Sequence, residues 1–124
     1  MKKRREIIRK LRQKYPELII SSNGQLEGVN YYKVDWSGDY EELQELGWFI
    51  NKSTASSIEM MRWDDNDNLL DDDIFITMDR AEVYTNDGKD YQAAAEKFRA
   101  RVEAYAKSVH SMFLVELRRQ TEVE

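Results

Sequence analysis

Residues 90–120 read DYQAAAEKFRARVEAYAKSVHSMFLVELRRQ. The stretch holds neither proline nor glycine, and Tyr91, Ala95, Phe98, Val102, Tyr105 and Val109 recur every three or four residues. That spacing predicts one helix, capped at its start by Asp90 and running to about Gln120. At 1.5 Å per residue it is about 45 Å long, whereas a compact chain of this length is about 35 Å across. The helix therefore has to cross the whole fold, and the rest of the chain must be arranged against it.

Upstream of the helix the apolar period changes from near four to two. Ser56 to Trp63 alternates Ile58, Met60 and Arg62 against Glu59, Met61 and Trp63, and Asp73 to Met78 alternates Ile74 and Ile76 against Phe75 and Thr77. Both read as strands. Between them residues 64–73, DDNDNLLDDD, read as the tip of a long hairpin. Ala81 to Thr85 gives a third strand or a continuation of the second, and Asn86-Asp87-Gly88 closes the sheet region.

Before the strands, Asp39 followed by Glu42 resembles a capping box. It opens a predicted helix with Tyr40, Leu43, Leu46, Phe49 and Ile50 on its apolar side, ending near Asn51. Gly47 within it suggests a close approach by a neighbouring backbone or ring. At the start of the chain, Ile7, Ile8, Leu11 and Tyr15 give a narrow helical stripe over Lys2 to Tyr15, and Pro16 stops it. Leu18-Ile19-Ile20 and a strand from Leu26 to Trp36 flank Ser21-Ser22-Asn23-Gly24, read as a two-residue hairpin with a type I′ turn.

The expected architecture is α+β, in a single domain spanning 1–124. It comprises an N-terminal helix, a small antiparallel sheet built from hairpins with an inserted helix, and a long C-terminal helix packed across the sheet. The composition agrees with one core: 124 residues, 41% hydrophobic, with fourteen aromatics, too apolar for a disordered chain. No run approaches the roughly 18 apolar residues of a membrane span. The basic opening is not followed by the apolar stretch of a secretory signal. With no cysteine there is neither a disulfide nor a thiolate. A cytoplasmic setting is expected.

Charge is segregated. Residues 1–14 carry eight bases and one acid, whereas Asp35 to Asp90 carry sixteen acids and four bases, within a net charge of -5. Such asymmetry bears on partners and association rates. The clustered Asp64, Asp65, Asp67, Asp71, Asp72 and Asp73 offer carboxylates to a basic partner. Leu69 and Leu70 among them either fold back onto the sheet or stand out as an apolar anchor inside a charged rim. The calcium-loop pattern fails there, because the glycine and closing glutamate it needs are missing, so neither a metal nor any other cofactor is expected.

Catalytic chemistry finds little support. His110 is the only imidazole and lies mid-helix, and the five glycines are too far apart for a phosphate-binding loop. Tyr31, Tyr32, Trp36, Trp48, Trp63 and Tyr84 could line a ligand pocket, but at these spacings core packing is the simpler reading. The expected function is thus a non-catalytic protein-binding module or inhibitor whose hairpin, 64–73, docks on a basic site. In size and charge the chain resembles the small, cysteine-free, acidic proteins with which phages and other mobile elements block host proteins, the anti-CRISPR style. That likeness implies mimicry of nucleic acid on a nucleic-acid-binding host protein. The alternative is a small nucleic-acid-binding protein using Lys2, Lys3, Arg4, Arg5, Arg9, Lys10 and Arg12, with Lys14, against phosphates. A third role for these bases is internal, offsetting the acidic middle. Leu114, Val115 and Leu117 fall partly outside the helix stripe. Either a second copy covers them, giving a homodimer, or the N-terminal helix does so with Ile7, Ile8 and Leu11.

Overall fold

The computed structural model describes residues 2–86 and 88–122, with the side chains of Lys2, Lys3 and Glu122 outside the described set. Asp87, part of the expected Asn86-Asp87-Gly88 turn, lies outside the described residues. Helix α1 spans Lys2–Lys14, and strands β1 (Leu18–Ile20) and β2 (Leu26–Val29) form a two-stranded antiparallel sheet. A short helix α2 (Glu41–Glu45) leads into a four-stranded sheet, β3 (Trp48–Ser53), β4 (Ile58–Trp63), β5 (Leu69–Ile76) and β6 (Ala81–Tyr84), in sequence order and antiparallel throughout. Helix α3 (Gln92–Glu122) closes the chain. The fold is α+β, with the long helix packed against the sheet as the sequence implies.

Helix α3 starts where expected. Asp90 Oδ1 accepts a hydrogen bond from the Gln92 amide at 2.9 Å, satisfying one of the unpaired donors of the first turn. Polar anchors fix its depth on the sheet. Gln92 Nε2 donates to Ala81 O at 2.8 Å, Glu96 accepts from the Ala81 amide at 3.2 Å, and Arg99 Nη1 reaches Met78 O at 2.7 Å. Its stripe of Ala95, Phe98, Val102 and Phe113 is buried against Ile58, Met60, Ile74 and Ile76 and the rest of one apolar cluster.

Sequence expectations are corrected in three segments. The helix predicted from Asp39 to Asn51 is only one turn long. Asp39 does not cap it, and Glu42 pairs with Lys97 of α3 instead of completing a capping box. Gly47, at φ +92°, ends it, and the chain leaves as β3, so Phe49 and Ile50 belong to a strand. An added Cβ on Gly47 would sit 2.7 Å from Trp63 O, the close approach that the glycine suggested. This extra strand is why the sheet has four strands rather than two or three.

The strand predicted from Leu26 to Trp36 stops at Val29. A 3-10 turn over Tyr31–Lys33 follows, and Trp36 turns into the core. Its ring lies edge-on to Phe98 and Tyr105 at 5.9 and 5.4 Å, and Nε1 donates to Tyr31 O at 3.2 Å. Tyr31 and Trp36 there serve the core under α3 rather than a sheet face, whereas Tyr32 is exposed. The preceding turn is also not type I′. Gly24 alone has positive φ, the Gly24 amide bonds Ser21 O at 3.0 Å, and Asn23 spends its side chain on the Gln25 amide. A three-residue loop with a left-handed glycine results.

The third correction concerns the acidic segment. The tip of the β4–β5 hairpin is Asp64–Asn68, whereas Leu69 to Asp73 belong to β5 and pair with β4. The Asp64 side chain closes the tip, accepting from the Asn66 and Asn68 amides at 2.8 and 2.9 Å. These bonds hold its carboxyl below the ordinary aspartate range. Asp67 takes positive φ in this turn, as aspartate tolerates.

Candidate partner-binding site

Strand alternation sorts the hairpin residues onto two faces. On the face under α3 lie Arg62, Asp72, Ile74 and Ile76. Asp72 is 6% exposed and pairs with Arg62 at 3.2 Å. The Arg62 guanidinium also donates to the Tyr91 hydroxyl and lies over the rings of Trp48 and Tyr91, 5.9 and 5.2 Å from their centroids. Asp72 is thus a structural carboxylate turned away from any partner. Leu70, half-buried, is in the same phase of the strand.

The opposite face carries the rest. Strand register lays Phe49, Met61, Asp73 and Tyr84 in one row, with Lys52, Glu59, Phe75 and Glu82 in the next and Trp63 opposite Leu69 at the hairpin end. Phe49 and Trp63 are stacked at 5.5 Å. Trp63, Leu69, Phe75 and Tyr84 are exposed, Trp63 at 45% and Tyr84 at 57%. Asp71 is exposed on this strand, and the tip adds Asp65 and Asp67. Of the expected docking residues, the structure gathers Asp65, Asp67, Leu69, Asp71 and Asp73 around one open end of the sheet, spends Asp64 on the turn, and withdraws Asp72.

The carboxylates on this face differ in what they touch. Glu82 is held by Arg80 at 2.6 Å and accepts from the Tyr84 hydroxyl at 2.6 Å, and Glu59 accepts from Asn51 at 3.0 Å. Asp65, Asp67 and Asp71 have no ion pair among the described residues. Asp73 Oδ1 is buried with no hydrogen-bond partner. Burial, with the nearby Glu59 charge, pushes the Asp73 carboxyl above the ordinary aspartate range.

The exposed aromatics of this face escaped the sequence reading, which treated Trp63 and Tyr84 with the core residues. Tyr31, Trp36 and Trp48 are buried, whereas Tyr32, Trp63 and Tyr84 are exposed and do not converge on one pocket. Register was the missing signal: Phe49 had to be on a strand before its row could be seen.

The basic helix lies elsewhere. Ile7, Ile8, Leu11 and Tyr15 are buried, with Tyr15 edge-on to Phe113 at 6.3 Å, so α1 covers the C-terminal half of α3. The acidic hairpin instead meets the start of α3 at Tyr91. About 26 helical residues, or roughly 40 Å, separate the two ends. No ion pair joins α1 to residues 35–90 among the described residues. Arg12 and Arg4 donate to Ile20 O and Asn23 O at 2.9 and 3.4 Å, while Arg5, Arg9 and Lys10 are exposed.

Two clefts border the elements described above. One of about 750 Å³ runs between β2, the β5–β6 turn and α3, bordered by Tyr31, Asp79, Arg80, Lys107 and His110. The other, of about 550 Å³, lies at the root of the acidic hairpin beside Trp48, Trp63 and Asp65. Among the described residues no group of three or more histidines and carboxylates is placed to hold a metal ion, and no helix is long and apolar enough to cross a membrane. Comparison with protein-family models, with curated proteins and with solved structures finds no match to this chain.

Proposed function

We propose that this chain is a non-catalytic binding protein that occupies a basic, nucleic-acid-binding site of a partner protein in the cytoplasm, in the manner of a mobile-element inhibitor. The observation that carries the reading is the open end of the sheet. There Asp65, Asp67 and Asp71 stand without basic partners beside exposed Trp63 and Leu69. Free carboxylates around an apolar centre steer a basic surface into contact and then hold it.

A labelled DNA duplex and a host lysate test it. The protein should leave the duplex unshifted at low salt. Immobilised, it should retain a nucleic-acid-binding protein that added duplex displaces and that the Asp65→Asn, Asp67→Asn, Asp71→Asn variant no longer retains. A direct duplex shift that is lost when Arg5, Arg9 and Lys10 become serine would overturn the reading in favour of the basic helix, whose exposed cations are the observation supporting that alternative. Self-association through the C-terminal helix is the weaker reading of the partner, because α1 already buries Leu117.

A further inference from the structure

We infer that the open face of the four-stranded sheet, centred on Asp73, selects arginine: guanidinium groups of the partner stack on Trp63 and Tyr84 and pair with the Asp73 carboxylate. The inference rests on the proposal of a basic partner and specifies its chemistry.

The argument begins with what the face lacks. Directly opposite residues on antiparallel strands lie about 5 Å apart, so Asp73 sits between the Met61 thioether and the Tyr84 ring. Its neighbours Glu59 and Glu82 are already satisfied by Asn51, Arg80 and Tyr84, but Asp73 Oδ1 is buried without a donor. A buried acceptor left unpaired is unfavourable, and the missing group is a donor that also tolerates apolar, aromatic surroundings. Guanidinium meets both conditions. It is planar, weakly hydrated, donates in a fork to carboxylate and stacks on aromatic rings, whereas the lysine ammonium is strongly hydrated and compact.

The other face of the same strands shows this chemistry within the chain. Arg62 pairs with Asp72 and lies over Trp48 and Tyr91. On the outer face Asp73 lies opposite Tyr84, with Trp63 two residues along β4 from Met61, and the arginine of that face, Arg80, is paired with Glu82 rather than with Asp73. Asp71, Glu59 and Glu82 outnumber the two cations of this face, Lys52 opposite Glu59 and Arg80 on Glu82, and this balance disfavours a nucleic acid or an anionic membrane as the occupant.

Nona-arginine and nona-lysine peptides distinguish selection from simple charge attraction. Each is titrated into the full chain by calorimetry and by tryptophan emission. Trp36 and Trp48 are buried, so emission changes report Trp63. Nona-arginine should bind at least about tenfold more tightly than nona-lysine and alter the emission. Asp73→Asn and Trp63→Leu should each reduce the preference to within about threefold, with circular dichroism unchanged. Asp65→Asn with Asp67→Asn should weaken both peptides alike and keep the preference. Equal affinity for the two peptides, or a preference that survives Asp73→Asn and Trp63→Leu, would overturn arginine selection while leaving acidic docking in place. Binding of neither peptide at low salt would overturn both.

Discussion

Asp72 and Asp73, adjacent in the sequence, lie on opposite sides of the sheet: Asp72 pairs with Arg62 at 3.2 Å beneath α3, while Asp73, on the open face, is half-buried with its Oδ1 unpaired. Two neighbouring carboxylates thus have opposite energetic roles. Replacing Asp72 by alanine removes the ion pair it makes with the mostly buried Arg62 guanidinium, and stability should fall by about 3 kcal/mol. Asp71→Asn, on an exposed side chain, should change it by less than about 0.5 kcal/mol. Urea denaturation of the two variants checks the contrast.

Asp73 should behave in the opposite sense. A carboxyl whose folded value is raised favours the protonated form, so the penalty is absent at low pH and develops as pH rises through that value. Asp73→Asn should therefore raise the melting temperature at pH 7 and leave it nearly unchanged at pH 3. A variant that is more stable yet poorer at binding arginine would mark Asp73 as a site residue rather than a structural one. A lower melting temperature at pH 7 would contradict the assignment.

The glutamates of α3 set the acid limit. Arg119, with Gln120, holds the Glu116 carboxyl down at about 2, against an ordinary 4.5. Arg99 lowers Glu96, and Lys107 with Arg99 lowers Glu103. Depressed values mean stability that is complete above the ordinary range and lost as pH falls through the folded values. The melting temperature should hold down to about pH 5 and then decline towards pH 2, where these groups become protonated. Glu116→Gln should make that decline shallower, and melts across the range test it.

At Gly47 the constraint is steric. A side chain there would have to adopt φ +92° and bring Cβ within 2.7 Å of Trp63 O. The left-handed conformation alone costs about 1–2 kcal/mol, and the clash falls on backbone that cannot easily yield, because the Trp63 amide bonds Gly47 O at 3.1 Å. Gly47→Ala should lower stability by about 2–4 kcal/mol and loosen the Phe49–Trp63 stack. Gly38→Ala is the control. Its φ is +86°, with nothing near its Cβ position, so only the conformational share should be lost.

The ends of the fold were legible because their signals are redundant. In α3, period, cap and freedom from breakers agree, and in α1 the stripe ends at Pro16. The middle was not, because the local signals compete. Leu43, Leu46, Phe49 and Ile50 satisfy a helical period, yet Gly47 adopts a left-handed turn and Phe49 pairs with Met61 in a sheet that no local pattern announces. Asp71-Asp72-Asp73 resemble a solvated loop by composition. Strand pairing with β4 overrides composition there, and only alternation separates the buried Asp72 from the exposed Asp71 and the half-buried Asp73. The acidic segment was visible as a binding candidate, but its aromatic surroundings were not, since they depend on register.

The C-terminal half of α3 offers the last test. Leu117 is 7% exposed, packed under α1, and the same pair of helices encloses Gly24, whose Cβ position lies 3.4 Å from both Ile8 and Leu117. Leu117→Gln places an amide in that contact and should cost about 2–4 kcal/mol, loosening α1. Met112, Leu114 and Val115 remain exposed, at 54%, 40% and 65%. Three such side chains fall short of the roughly 800 Å² per partner that stable interfaces bury. The expected result is therefore a monomer of 14.8 kDa by sedimentation at micromolar concentration, unchanged in mass when Leu114 and Val115 become glutamine. A dimer that dissociates on that double substitution would show that this strip, small as it is, is an interface between copies.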